Sequence, residues 1–185
     1  MAFYTGKGDE GTTKLFDTKA GERILKSAAV FDALGTFDEL NTVVGWCRVA
    51  CAIDWLVEEK TTSTILLDVQ EHLFTIQAEL AGAKKKIPAK NIKDIEALIA
   101  VIDEQLPEIT TFFVPGGNEL SARLDVARTV SRRAERSLVR AVEEGANISA
   151  HTLTYANRLS SLLYALVRFV NHKCDIQDTP PEYIG

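Results

Sequence analysis

Leu120-Ser121-Ala122-Arg123-Leu124-Asp125-Val126-Ala127-Arg128-Thr129-Val130-Ser131-Arg132-Arg133-Ala134-Glu135-Arg136-Ser137-Leu138-Val139-Arg140-Ala141 carries two patterns at once. Small or apolar residues stand at Leu120, Leu124, Ala127, Ser131, Ala134, Leu138 and Ala141. Those steps alternate between four and three, which puts all of them on one face of an α-helix. Arg128, Arg132 and Arg136 recur every fourth residue, so their guanidiniums line a face of their own. Asn118, just after the Pro115-Gly116-Gly117 turn, is a good N-cap for this helix, and Gly145 is its expected end.

Working outward, the same step recurs in four more segments. From about Ser27 to Ile53, Val30, Leu34, Phe37, Val44 and Cys47 share a side. Thr61 or Thr62 can cap the next helix, where Leu66, Val69, Leu73, Ile76 and Leu80 follow, before Lys84-Lys85-Lys86-Ile87-Pro88 breaks it. A shorter helix is expected from Asn91, with Ile95, Leu98, Val101 and Ile102 apolar, ending near Pro107. Tyr155, Leu159, Leu162, Leu166 and Phe169 mark the last, and Asp178-Thr179-Pro180-Pro181 cannot continue it. Short connections favour antiparallel neighbours. The expected fold is all-α: a five-helix bundle over residues 27–175 with an irregular N-terminal arm over residues 1–26, in one domain spanning 1–185.

Composition excludes several classes. The net charge of -5 argues against a nucleic-acid binder held by phosphate contacts. No apolar run approaches the roughly 20 residues that span a bilayer, and Met1-Ala2-Phe3-Tyr4-Thr5-Gly6 lacks a secretory pattern. Three cysteines, Cys47, Cys51 and Cys174, are too few and odd in number for a disulfide framework, so a reducing cytoplasm is expected. His72, His151 and His172 are scattered, and no metal site made of protein ligands alone is expected. None of the three has a Glu three residues earlier, which sets aside a metal-carboxylate bundle.

The arm reads Tyr4-Thr5-Gly6-Lys7-Gly8-Asp9-Glu10-Gly11-Thr12-Thr13. Its glycines formally satisfy G-x-G-x-x-G, but that fingerprint works only between a strand and a helix, and neither has room here. The Walker pattern fails as well, because Thr12 stands where its lysine belongs. Two readings remain open: a plain run of turns, or a curled backbone whose N–H groups converge on an anion. The arginine helix is equally divided. Like charges four apart cost about 0.2–0.5 kcal/mol per pair, which Asp125 and Glu135 can offset on a solvated face. Arg, rather than Lys, at every basic position from Arg123 to Arg140 suits bidentate phosphate contacts. Asp38, Glu39 and Asn41, with Asn157 and Arg158, are polar groups within apolar helices and should find partners, the arginines first among them.

Taken together, five motifs resemble the PduO-type ATP:cob(I)alamin adenosyltransferases. The arm is similar to T-x-T-G-D-x-G-x-[ST], and Gly35-Thr36-Phe37-Asp38-Glu39-Leu40-Asn41 to G-T-x-D-E-L-N. Phe112-Phe113-Val114-Pro115-Gly116-Gly117 resembles F-I-L-P-G-G. Ala127–Arg136 resembles A-R-x-x-x-R-R-A-E-R, and Asn157-Arg158-Leu159-Ser160 is N-R-L-S. They fall in family order across nearly the whole chain.

The resemblance implies a ferritin-like five-helix bundle, assembled as a homotrimer with ATP between subunits. It also implies transfer of the 5′-deoxyadenosyl group of ATP to the cobalt of cob(I)alamin, with Mg²⁺ accompanying the triphosphate and a reductase as electron donor. By position Thr5, Gly6, Lys7, Gly8, Thr12, Thr13 and Lys26 would line the nucleotide, with Arg132, Arg133, Glu135, Arg136 and Asn157. Arg128 would pair with Asp38 across the interface, and Phe112 would sit against the corrinoid. Lys7 stands where the family has Thr, and Glu10 where Lys is common, so the arm keeps one positive charge and loses another. A nucleotide-sensing bundle without the transfer is the rival reading. Cobalt(I) is itself the nucleophile, so no Ser–His or Cys–His arrangement is needed.

Overall fold

All seven residues of the four-three stripe are buried in the computed structural model, on a helix that runs Glu119–Glu143. The structure describes residues 4–183; the first three residues of the expected arm and the last two of the chain lie outside it. In chain order the helices are α1 (Ala29–Val49), α2 (Thr62–Leu80), α3 (Ala89–Asp103), α4 (Glu119–Glu143) and α5 (Ala150–Lys173). α4 packs against α1 on one side and α5 on the other, α1 also packs against α2, and α3 lies on α5. The expected apolar sets of α2 and α5 are buried throughout. No helix among the described residues is long and apolar enough to cross a membrane.

Helix starts follow local chemistry. Asn118 caps α4 in a reciprocal box, its side chain accepting from Ser121 N while Ser121 Oγ accepts from Asn118 N. Thr61 caps α2 and Ser149 caps α5. α3 begins at Ala89, two residues before the expected Asn91, because Pro88 takes the N-cap position with an extended backbone. α1 stops at Val49, short of the expected Ile53. The chain there turns into a hairpin, β3 (Leu56–Val57) with β4 (Lys60–Thr61), which apolar periodicity did not reveal. The arm is also less irregular than expected: β1 (Thr12–Thr13) pairs with β2 (Ile24–Leu25), and Phe16 N donates to Ala81 O at 2.7 Å at the end of α2.

Two buried polar clusters fasten the helices to one another. Glu79, almost wholly buried near the end of α2, accepts from Ser149 N at 2.7 Å and Thr152 Oγ1 at 2.5 Å. A carboxylate thereby takes the N–H of the Ser149 cap and the Thr152 hydroxyl at the start of α5, where the helix dipole favours negative charge. On the other side His72 bridges α2, α3 and α5. Asn91 Nδ2 donates to its Nε2, and its Nδ1–H donates to Tyr155 Oη at 2.8 Å.

Burial holds the His72 imidazole pKa below its ordinary value of 6.5. Its neutral form is therefore favoured by folding, and the stability it contributes is present above the unfolded pKa and lost as pH falls through the folded one. Between about pH 7.5 and pH 5 the melting temperature should fall more steeply in the wild type than in His72→Gln. Parallel pH profiles of the two proteins would overturn this account.

Candidate functional site

The buried stripe of α4 turns its arginines to the surface, and two clefts flank them. One, of about 510 Å³, is lined by Arg132, Glu135, Arg136, Val139, Arg140, Glu143 and Asn157. The other, of about 740 Å³, lies between α4, α5 and the loop from Ile109 to Phe113, with Arg128, Arg132, Ser160, Ser161 and Tyr164 in its wall. Arg132 alone borders both.

The arginines differ in what they already hold. Arg128 Nε donates to Asp125 Oδ1 at 3.0 Å within its own helix, and its guanidinium lies 5.8 Å from the centre of the Tyr164 ring. Arg133 pairs with Glu39 on α1, and Arg140 with Asp32. Arg132 and Arg136 have no ion pair among the described residues. Two free guanidiniums in one cleft attract an anion with several oxygens. Beside them Asn157 Nδ2 donates to Glu135 Oε1 at 2.6 Å, which fixes both side chains at the cleft wall.

The second cleft sets an apolar edge, Ile109, Phe112 and Phe113, beside a polar wall that includes Arg128 and Arg132. Phe112 is 79% exposed at the crest of its loop, next to the half-buried Phe113. A ring so exposed contributes little to the core and leaves an apolar face open to a flat, apolar guest. Burial raises the pKa of the Tyr164 hydroxyl. Burial, then the neighbouring Cys51, pushes the Cys47 thiol up to about 12, and burial takes Cys51 to about 11, so neither offers a thiolate at neutral pH.

The arm makes a third piece. Lys26 Nζ donates to Gly8 O at 2.9 Å, and Lys26 N donates to Gly11 O at 2.9 Å. Arg23 donates to Lys7 O, to Thr12 O at 2.7 Å and to Thr12 Oγ1 at 2.6 Å. Lys7 and Gly8 are thus held through their carbonyls by Arg23 and Lys26, while the N–H groups of Asp9 and Gly11 close turns onto Gly6 O and Gly8 O. No described arm residue lines either α4 cleft.

The structure brings Arg132, Glu135, Arg136 and Asn157 together, and sets Phe112 and Arg128 in the neighbouring cleft. Arg133 faces α1 and lines neither. Asp38 is exposed on α1, and within this chain Arg128 takes Asp125 as its partner. Asn41 is buried, with Oδ1 unpaired among the described residues, while its carbonyl accepts from Gln70 Nε2 at 3.2 Å. Arg158 pairs with Glu96 at 3.0 Å. Sequence reasoning missed Arg23 and Tyr164. Tyr164 had a signal: it follows Asn157 and Ser160 at helical spacing on one face.

The sequence matches the family described as cobalamin adenosyltransferase over residues 3–170. It is 39% identical to the corrinoid adenosyltransferase PduO of Salmonella typhimurium, covering 91% of this chain and 49% of that protein. PduO of Citrobacter freundii is 37% identical, with 93% of this chain and 50% of that one covered. The chain therefore spans about half the length of these two relatives. The corrinoid adenosyltransferase of Bacillus subtilis is 33% identical, with 98% of this chain and 93% of that protein covered. Among solved structures, a variant of the PduO-type ATP:corrinoid adenosyltransferase from Lactobacillus reuteri, complexed with cobalamin and ATP, superposes with a TM-score of 0.85. It is 28% identical, and the match covers 98% of this chain and 100% of that one. A match along nearly the whole sequence coincides with an arginine-lined cleft beside one edged by an exposed phenylalanine, and the chain belongs to the PduO-type cobalamin adenosyltransferases.

Proposed function

We propose that this chain transfers the 5′-deoxyadenosyl group of ATP to the cobalt of cob(I)alamin, giving adenosylcobalamin and triphosphate. The observation that carries the proposal is Arg132, a guanidinium with no ion pair among the described residues, bordering both a charged cleft and the cleft edged by Phe112. The relatives are named as corrinoid adenosyltransferases, and the structural neighbour was complexed with both cobalamin and ATP. In the reaction the cobalt(I) lone pair attacks C5′ of ATP, and the C5′–O5′ bond breaks. Its electron pair leaves on the triphosphate, and the cobalt is oxidised by two electrons. Arg132 and Arg136 neutralise that departing charge, in fixed positions that need no rearrangement as it develops. Glu135 and Asn157 hold the nucleotide side of the cleft, and the apolar wall at Phe112 takes the corrin.

Among the described residues no three of His, Cys, Asp and Glu gather where a metal could sit. Mg²⁺ would enter this cleft as the counter-ion of the triphosphate, where Glu135 and Glu143 are the carboxylates that could meet it. A separate reductase supplies the electron that makes cob(I)alamin. Three free thiols suit the reducing cytoplasm in which we place the protein.

A homotrimer completes the site. No described arm residue lines either α4 cleft, and in this reading a nucleotide that uses both lies between two copies. In such an assembly Thr5, Gly6, Lys7, Gly8, Thr12, Thr13 and Lys26 of one copy face Arg132 and Arg136 of the next. The exposed carboxylate of Asp38 is then free to reach a neighbour's Arg128. Val49 on α1 and Val126 on α4 are apolar side chains left at the surface, as an interface would use.

Three measurements test this reading. Arg132→Ala should weaken ATP use roughly ten- to a hundred-fold while shifting stability by about 0.5 kcal/mol or less, since the side chain is exposed and unpaired. Corrinoid absorbance under strong reductant reads the first and urea unfolding the second; unchanged ATP kinetics would return Arg132 to a solvated surface. Mixing Lys26→Ala chains with Arg132→Ala chains should restore activity above the sum of the two, because mixed trimers contain intact sites. Additive activities would place arm and α4 in one chain's site. Phe112→Ala should leave the melting temperature and ATP affinity nearly unchanged and slow turnover from cob(II)alamin, with pre-reduced cob(I)alamin recovering much of the rate. Equal loss with both corrinoids would defeat the role given to Phe112.

A further inference from the structure

We propose that Arg168 is a positioning residue for Phe112, acting through a clasp that ties the C-terminal tail and the Phe112 loop to α5. The proposal rests on the reading of Phe112 given above. Arg168 is only 4% exposed, and its guanidinium reaches in three directions. Nε donates to Asp178 Oδ2 on the tail at 3.0 Å, and Nη2 donates to Pro107 O, where the loop begins, at 2.9 Å. The guanidinium plane also lies 5.4 Å from the centre of the Phe113 ring, the immediate neighbour of Phe112. Asn171, one helical turn further along, holds the far end of the loop. Its Nδ2 donates to Gly116 O at 3.1 Å and to Asp178 Oδ1 at 3.3 Å. Between these anchors Val114 N donates to Thr179 O at 2.8 Å, so the tail runs along the loop as a short splint.

The loop is therefore held at both ends and along one side, while Phe112 at its crest stays open. Behind it is a hollow of about 340 Å³, bordered by Leu106, Pro107, Phe113 and Arg168. Without the clasp the loop has room to sink into that space and withdraw Phe112 from the cleft. Neither Arg168 nor Asp178 lines the clefts on α4, and beside the loop their one other reach toward the second cleft is the charge they place near the Tyr164 hydroxyl, one turn back on α5. The geometry also explains why the residue is Arg. A lysine carries its three donors on a single nitrogen, whereas Arg168 meets Asp178 and Pro107 from two nitrogens set apart on a rigid plane. Gly117 fits this crowded corner: its φ is +138° and an added Cβ would collide with Asn171.

The test compares cob(II)alamin bound with ATP to five proteins: wild type, Asp178→Asn, Arg168→Lys, Phe112→Ala and the Phe112→Ala/Asp178→Asn double variant. The paramagnetic resonance and absorbance of the cobalt report the fraction that lacks a lower axial ligand, a signal that a loss of stability alone does not move. Asp178→Asn is isosteric and lies on the tail, so the bundle should fold; Arg168→Lys provides a second, conservative break. Each should lower the ligand-free fraction and the cob(II)alamin turnover by roughly ten-fold, in the range a misplaced wall produces, with KM for ATP unchanged. In the Phe112→Ala background Asp178→Asn should do nothing more, because interactions that act through one group are not additive. If Phe112→Ala changes the signal and both clasp variants match wild type, the clasp is wrong and the Phe112 reading stands. If Phe112→Ala itself leaves the signal unchanged, the Phe112 reading fails and takes the clasp with it. An undiminished loss in the double variant would mean that Asp178 acts by another route, and the proposal falls.

Discussion

The seam on α4 governs the rest of this structure. Its buried positions include Ala127, Ser131, Ala134 and Ala141, side chains small enough for helices to approach closely. With one face committed to the core between α1 and α5, every arginine of the helix is forced outward. Some find carboxylates, as Arg128 does with Asp125 and Arg133 with Glu39. Arg132 and Arg136 do not, and like charges four apart carry a cost of about 0.2–0.5 kcal/mol per pair on an exposed helix. That small instability is what a phosphate chain in the proposed site would relieve. It is affordable because the seam beneath buries enough apolar surface to fix the helix regardless.

Polar groups buried elsewhere specify how the helices meet. Glu79 supplies acceptors to the start of α5, His72 ties α2 to Tyr155, and Arg168 with Asn171 gathers the tail and the loop after α3. A buried polar group without partners costs on the order of 1–3 kcal/mol. A slipped helix register would strand several such groups at once. The two ends of the bundle are thus pinned by different chemistry, a carboxylate at one and a guanidinium at the other, with the clefts in between.

Much of this was legible in the sequence. Helices appear wherever the three-four step runs for several turns, and Thr61 and Asn118 were readable as caps because capping is a contact between near neighbours. Helical spacing alone put Arg128, Arg132 and Arg136 on one face, whereas Glu135 and Asn157 joined the expected site through the family resemblance. What stayed hidden depends on partners far apart in the chain. Glu79 meets Ser149 and Thr152, and Arg168 meets Pro107, pairings that no local pattern reveals. The short ladders were missed because two-residue strands have no periodicity to detect. Arg23 was overlooked for a different reason. It lies outside the glycine-rich run and matters only because the ladder folds it back over Lys7 and Thr12.

Arg132 borders both clefts, and one guanidinium cannot give its full field to two guests. A polyanion drawn up on one side screens that charge from the other, and in the same motion orders the side chain that forms part of the neighbouring wall. Thermodynamic linkage then makes the two occupancies interdependent: whatever the first guest does to the affinity of the second, the second does in equal measure to the first. In the proposed site, coupling between the clefts would need no shift of helices or hinge. A single side chain would carry it, with a sign set by whether ordering that chain outweighs the charge withdrawn from the far side.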